Sequence, residues 1–141
     1  MRTDSFSVEL DKITKDRPRV TRRGHAFTPK ATVDAEKKIA HEWLLRCGGY
    51  GGFDCEQPLS MTVRAFIQIP KSRLKGKNKV ESGSYHTERR GDVDNIGKLV
   101  MDALNGHAYN DDSQISRLIV IKRWQIAPTF LQIDISEMHD D

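Results

Sequence analysis

The sequence lacks the features of membrane, exported and zinc-binding proteins. No apolar run approaches the about 20 residues that a membrane-spanning helix needs, and the first ten residues contain no apolar stretch long enough for a signal peptide. Cys47 and Cys55 could form one disulfide, but we expect two reduced thiols of an intracellular protein. No His or Cys pair has zinc-site spacing. We therefore expect a cytoplasmic protein without a membrane partner.

Positive charge is concentrated in two segments of a chain whose net charge is only +3. Residues 12–30 contain seven Lys or Arg and one acid, and residues 71–90 contain seven and two. The segments therefore carry +6 and +5, and the remaining residues carry −8. Such segments favour binding to a nucleic-acid backbone, because phosphate contacts release counterions, although two solvated loops would show the same bias. The cations that we expect to contact DNA are Arg17, Arg19, Arg22, Arg23, Lys30, Lys71, Arg73, Lys75, Lys77, Arg89 and Arg90.

Four segments have the apolar patterns of strands. Residues 5–10, 59–69 and 130–135 alternate apolar and polar side chains, which is the period of a strand with one buried face. Residues 118–121 are continuously apolar, which is typical of a strand buried on both faces. The two basic segments are predicted to be loops.

Two helices are predicted between these strands. The first begins near Thr32, with Thr28 or Thr32 as its N-cap, and its apolar stripe includes Leu44. The second begins at Asp94 or Asn95. Its apolar residues recur at helical spacing: Ile96, Leu99, Val100, Ala103 and Leu104. The order β-α-β-α-β-β predicts a single α+β domain over residues 1–141, with a mixed sheet of about four strands and two main helices packed on it.

The segment GDVDNIGKLVMDALNGHAYNDDSQI, residues 91–115, contains two acidic pairs and allows three interpretations. An EF-hand calcium loop starting at Asp92 fails, because Ile96 and Ala103 stand where two ligands are needed. In an ordinary structural interpretation Asp94 caps the second helix and Lys98 makes i,i+4 ion pairs. The later acidic pair, residues 111–112, would then form a turn before a strand.

The third interpretation is a metal site for phosphodiester hydrolysis. Asp92 and Asp94 lie at a helix N-terminus, and the loop that leads to Asp112 is long enough, at about 25 Å extended, to return along the helix. Three adjacent carboxylates repel one another unless a divalent cation binds them. Mg²⁺ prefers such oxygen ligands, with Mn²⁺ a plausible substitute. Lys98 would stabilise negative charge at the scissile phosphate, and no small-molecule substrate is expected.

The same segment resembles the RusA family of Holliday junction resolvases, especially its phage and prophage members. The resemblance rests on D-x-D-N-x-x-K, then D-A-L-N-G and D-D-S-Q, with support from RPR at 17–19, TPK at 28–30, IPKS at 69–72 and KRW at 122–124. It implies a small homodimeric, magnesium-dependent endonuclease that cuts four-way DNA junctions by paired nicks. Matched by position, the essential residues would be Asp92, Asp94, Lys98 and Asp112. Family members often carry Pro where this chain has Gly91, which frees the backbone before Asp92.

The resemblance also implies a homodimer in a bacterial or phage-infected cell. A two-fold dimer would match the near two-fold symmetry of a four-way junction, and Phe6, Phe66 and Trp124 are candidate interface residues that could equally belong to the core. Two other functions fit the residues. One is a DNA-binding module without catalysis, and the other is a metal-dependent nuclease that acts on other branched DNA or on RNA.

Overall fold

The computed structural model describes residues 1–11, 13, 19–24, 26–27, 29–88 and 91–140, with the backbone alone at 19–20 and 26–27. Two α-helices and four long strands make up the fold, with one short hairpin. The elements are β1 (Thr3–Glu9), β2 (Arg19–Val20), β3 (Ala26–Phe27), α1 (Lys30–Arg46), β4 (Leu59–Gln68), α2 (Val93–Leu104), β5 (Ile115–Gln125) and β6 (Phe130–Glu137). None of the helices in these ranges is long and apolar enough to cross a membrane.

The four long strands form one mixed sheet in the order β1-β6-β4-β5. Strand β6 is antiparallel to both β1 and β4, whereas β4 and β5 are parallel. Parallel strands need a crossover connection, and α2 lies within that connection. The helix therefore begins at the sheet end where β4 and β5 finish. The predicted α+β class, the four-stranded mixed sheet and the two helices are confirmed.

Helix α2 packs closely on β5 through the apolar stripe that the sequence predicts. All five residues of that stripe are buried. Gly97 allows the close approach, because a Cβ at this position would lie 2.9 Å from Leu118 Cδ2 and 3.2 Å from Val120 Cγ2. This contact fixes α2 against the edge of the sheet, and with it the position of the acidic residues at the helix N-terminus.

Helix α1 differs from its prediction at its N-terminus and in its apolar stripe. It begins at Lys30, with Pro29 in the N-cap position and no side-chain cap. Thr32 is buried inside the first turn, and Thr28 lies outside the described residues. The sequence assigns Leu44 to the apolar stripe, but this residue is 59% exposed. In the second half of the helix only Ile39 and Trp43 are buried.

Strand β5 is not buried on both faces, so that prediction is wrong. It is an edge strand of the sheet, and Leu118 and Ile119 are 40% and 39% exposed. A continuous apolar run does not distinguish a central strand from an edge strand, because the neighbours of a strand are set by the topology. The loop predicted over residues 12–30 is also interrupted, since β2 and β3 pair as a short antiparallel hairpin within it. Cys47 and Cys55 are both free thiols.

Candidate active site

Asp92 and Asp94 lie at the N-terminus of α2 and are both exposed. The helix begins at Val93, so Asp92 occupies the N-cap position. The structural interpretation of the sequence assigns this position to Asp94, and that assignment is wrong. The backbone carbonyl of Asp92 accepts the first helical hydrogen bond from Ile96 N at 3.0 Å, but its side chain makes no cap hydrogen bond. The helix start therefore leaves this carboxylate available for a ligand.

Gly91 sets the direction of the chain immediately before these carboxylates. Its φ is 86°, in the left-handed region, and the residue is buried. Proline holds φ near about −65°, so it could not adopt this conformation, whereas glycine does so without strain. The observed turn into Asp92 is therefore one that a proline at position 91 could not form.

Lys98 lies one helical turn after Asp94 and is exposed. It forms none of the ion pairs found among the described residues, so the i,i+4 pairs of the structural interpretation are absent. The Lys98 ammonium group is therefore exposed to solvent at the same end of α2 as the two exposed carboxylates.

The second acidic pair is divided between two roles. Asp111 caps the short 3-10 turn Asp112–Gln114, and its Oδ2 accepts a hydrogen bond from Ser113 N at 3.1 Å. Hydrogen bonding to Ser113, first through its side chain and then through its backbone N–H, lowers the pKa of Asp111. Asp112 is half-buried and makes no hydrogen bond through its side chain with a described residue. Of the two, Asp112 is the carboxylate that the turn does not require.

Gln114 and Tyr109 fix the loop that carries Asp112. Gln114 Oε1 accepts from Asn110 N at 2.9 Å and Asp111 N at 3.2 Å, which completes a capping box. Gln114 Nε2 donates to the carbonyls of Asp54 and Gln57, which lie just before β4. Neither residue is evident from the sequence, because a polar side chain that satisfies distant backbone groups leaves no periodic signal.

Tyr109 joins this loop to α2. It is buried, and its hydroxyl donates to the Met101 carbonyl at 2.6 Å. Burial raises the pKa of Tyr109, and the nearby charges of Asp112 and Asp102 raise it further. The hydroxyl therefore remains protonated and keeps donating its hydrogen bond at neutral pH.

The Asp112 loop is attached to the C-terminal half of α2. Tyr109, three residues before Asp112, donates its hydroxyl to the Met101 carbonyl there. Met101 is about 10 Å along the helix axis from Asp94, at 1.5 Å per residue. Within the described parts of the chain, no three His, Cys, Asp or Glu side chains are close enough together to hold a metal ion. The cluster of three carboxylates stays a prediction.

The first basic segment presents two of its arginines at the tip of the β2–β3 hairpin. Arg22 and Arg23 are exposed there, in a turn closed by a 2.9 Å hydrogen bond from Gly24 N to the Thr21 carbonyl. Lys30, at the start of α1, is exposed as well. Three other cations predicted to contact DNA, Arg17, Arg89 and Arg90, lie outside the described residues, as does the side chain of Arg19.

The second basic segment separates into free and engaged cations. Lys71, Lys75 and Lys77 are exposed and form none of the ion pairs among the described residues. Arg73 is engaged inside the loop: it forms an ion pair with Glu88, and its Nε donates to the Asn78 carbonyl at 2.7 Å. Among the described residues of this segment, the three lysines are therefore the cations that remain available to a phosphate backbone.

The end of the same segment is attached to the outer edge of β5. Gly83 N donates to the Trp124 carbonyl at 2.7 Å, Trp124 N to the Ser84 carbonyl at 2.9 Å, and His86 N to the Lys122 carbonyl at 3.1 Å. Trp124 is buried and packs against the His86 ring, with centroids 4.2 Å apart. The residues KRW, at 122–124, therefore hold the chain that leads into Asp92.

The fold and these side chains are typical of a small nucleic-acid enzyme, with exposed carboxylates at a helix N-terminus and free lysines in the preceding loop. A family model described as Endodeoxyribonuclease RusA matches residues 10–136. The chain belongs to this family, whose members cleave DNA as hydrolases, act on branched junctions and generally depend on a divalent metal.

One relative has a more limited similarity. The uncharacterized protein YqaN of Bacillus subtilis (strain 168) is 42% identical over 74 residues, which are 50% of this chain and 52% of YqaN. The match thus spans about half the length of that relative.

Proposed function

We propose that this chain is a magnesium-dependent, structure-selective DNA endonuclease that resolves four-way junctions by paired nicks. The observation that carries the proposal is the N-terminus of α2, where Asp92 and Asp94 are exposed, Asp92 makes no cap and Lys98 follows one turn later. In a member of an endodeoxyribonuclease family, carboxylates with no structural partner are the natural candidates for metal ligands.

The donor set suits magnesium. Carboxylate oxygens are hard ligands, and Mg²⁺ is usually held by one or two of them together with water and substrate phosphates. Asp92 and Asp94 would supply the first two ligands, and Asp112 is the third ligand that we propose. When bound, the ion would lower the pKa of a water molecule and orient it for in-line attack on phosphorus.

The other side chains would bind and neutralise the substrate. Lys98 would donate to the scissile phosphate and stabilise the charge that develops there. The backbone N–H groups at the start of α2 also attract anions, because they form the positive end of the helix dipole. Lys71, Lys75 and Lys77 would hold the adjoining strand by phosphate contacts, which predicts affinity that falls steeply with salt.

We further propose that the chain acts as a homodimer, with one active site in each subunit to nick opposite strands. Of the three aromatic residues considered as interface candidates, Phe6 and Trp124 are buried. Phe66 is half-buried on the sheet face opposite the helices, where it stacks on Phe130 with centroids 4.8 Å apart. Of the three, Phe66 is thus the one that is not buried within the subunit itself.

The test uses the purified full chain and a synthetic four-way junction labelled on each strand in turn. With Mg²⁺ we expect symmetrical paired nicks, no cleavage in EDTA, and much slower cleavage of linear duplex, fork and flap. Lys98→Met should keep junction binding and lose most cleavage, by about 100-fold or more. An intact junction that stays bound in Mg²⁺ would indicate a binding module, and faster cleavage of forks or flaps would indicate another specificity.

A further inference from the structure

We propose that Tyr85, backed by Arg123, is a stacking platform for an unpaired nucleobase of the bound DNA. This proposal rests on the proposed function in one respect, which is that branched DNA is the ligand. It adds a base-binding site outside the acidic site, on the opposite face of the sheet from the helices.

The Tyr85 ring has one covered face and one open face. The Arg123 guanidinium carbon lies 4.1 Å from the ring centroid, and Arg123 Nη2 donates to the Tyr85 hydroxyl at 2.8 Å. Arg123 Nη1 donates to the Gly83 carbonyl at 2.7 Å, which locks the guanidinium in place. Tyr85 is nevertheless 64% exposed. The pair is thus ordered without burying the ring, which is unlike an aromatic residue that packs a core.

The backbone under the ring is held firmly. Tyr85 bridges to Arg123 across the edge of β5, and its neighbours on both sides bond to the same strand: Ser84 accepts from Trp124 N at 2.9 Å, and His86 N donates to Lys122 at 3.1 Å. His86 is buried against Trp124. A platform fixed before DNA arrives loses little conformational freedom on binding.

The surrounding charge favours a nucleobase over a protein side chain as the occupant. No described carboxylate forms an ion pair with Arg123, and exposed Lys71, Lys75 and Lys77 belong to the same loop. Cationic surfaces with an exposed aromatic ring are how proteins bind single-stranded nucleic acid: the cations follow the phosphates and the ring stacks on a base. A guanidinium over the opposite face of the ring adds a cation–π contact.

The position suits the branch point of a junction. Asp92 follows Tyr85 by seven positions in the chain, so the two backbones are at most about 24 Å apart, which is roughly seven base steps of a duplex. Bases inside a duplex are stacked on their neighbours, and extracting one costs a few kcal/mol. Bases at an opened strand exchange are already unstacked. Stacking on Tyr85 would therefore favour branched over linear DNA.

The experiment measures binding in EDTA, so that it does not depend on cleavage. A junction carrying 2-aminopurine at the point of strand exchange, and a linear duplex of the same sequence, are titrated with the parent chain, Tyr85→Ala and Tyr85→Phe. Tyr50→Ala is the matched control, because Tyr50 is 88% exposed in the glycine-rich loop after α1. Circular dichroism of each variant confirms folding.

We expect Tyr85→Ala to weaken junction binding by about tenfold or more, while duplex affinity changes less than twofold. Tyr85→Phe and Tyr50→Ala should stay within about twofold of the parent. Both variants and the parent should quench 2-aminopurine, and Tyr85→Ala should not. Equal losses on junction and duplex, or an unchanged Tyr85→Ala, would overturn the platform. If Tyr85→Ala changed the oligomeric state, Tyr85 would be a contact between subunits and the stacking platform would be overturned. If the parent quenches 2-aminopurine but never cleaves, the platform stands and the nuclease proposal fails.

Discussion

The two acidic pairs that flank α2 have the same composition and different surroundings. Asp111 caps a turn, and its loop is fixed by Gln114 and Tyr109. Asp92 occupies a helix N-cap position, where a carboxylate ordinarily bonds a free backbone N–H, yet makes no such bond. After the C-terminus of α2, Asp111 stabilises a turn. At the N-terminus of the helix, Asp92 and Asp94 are exposed to solvent.

This difference shows which carboxylates the fold can spare. A capping bond contributes about 1 kcal/mol, so an acid that forms one is explained by stability alone. An acid whose side chain makes no hydrogen bond contributes little to stability, and its replacement should leave the fold unchanged. The exposed Asp92 and Asp94 and the half-buried Asp112 are in this second group, and Asp111 is in the first. The comparison can therefore be tested by measuring stability and cleavage in the same variants.

The largest effect is expected from Asp92→Asn. The amide keeps the shape of the side chain but removes the charge that would bind the metal, so we expect the rate of junction cleavage to fall by about 10³-fold. The free energy of unfolding should change by less than about 0.5 kcal/mol, because Asp92 is exposed and makes no cap. Single-turnover cleavage and urea unfolding measure the two quantities. Cleavage within tenfold of the parent would remove Asp92 from the metal site.

The next effect separates the two members of the second pair. Asp112→Asn should slow cleavage by about 100-fold with little change in stability, since its side chain has no described hydrogen-bond partner. Asp111→Ala should lower the free energy of unfolding, because the cap to Ser113 N is lost. The same two assays apply. If Asp111→Ala lost cleavage and Asp112→Asn lost stability, the capping residue and the metal ligand would have been assigned the wrong way round.

A smaller effect is expected from Tyr109→Phe, which breaks the link between the Asp112 loop and α2. The Met101 carbonyl would lose the donor that it now has at 2.6 Å, and we expect a loss of about 1–2 kcal/mol in the free energy of unfolding. Hydrogen exchange should increase in residues 105–114. Exchange that increases equally throughout the chain would show that Tyr109 supports the whole core and not this loop.

The smallest effect that we expect is a pH dependence in residues 83–88, the loop before Asp92. Burial lowers the pKa of His86, and the positive charges of Lys122 and Arg73 lower it further. Below about pH 6.5, the folded state therefore binds fewer protons than the unfolded state. The attachment of residues 83–86 to β5 thus weakens as the pH falls through this range, and it is unaffected at higher pH.

Hydrogen exchange of residues 83–88, corrected for its intrinsic pH dependence, should rise a few-fold between pH 7.5 and 5.5 while residues 105–114 stay unchanged. His86→Gln should abolish the difference between the two loops. A parent loop with the same exchange at both pH values would contradict the assignment to His86.

Much of the fold follows from local patterns. The alternation in β4 and the stripe of α2 predict buried faces that the structure confirms, because periodicity reports how one element meets its core. The apolar run in β5 predicts burial that is absent, since a strand's neighbours depend on the order of the sheet. For the site, the spacing of Asp92, Asp94, Lys98 and Asp112 leads to the family, and the match over residues 10–136 confirms that membership.

The sequence by itself therefore determined the class of fold, the family and the short list of acids, because each depends on residue type and spacing along the chain. Only the tertiary structure decided how those acids are used. Whether a carboxylate finds a backbone N–H, as Asp111 does, or none, as at Asp92, depends on groups that folding brings together. The same holds for Tyr85, whose ring gains its guanidinium only when the loop pairs with the edge of β5.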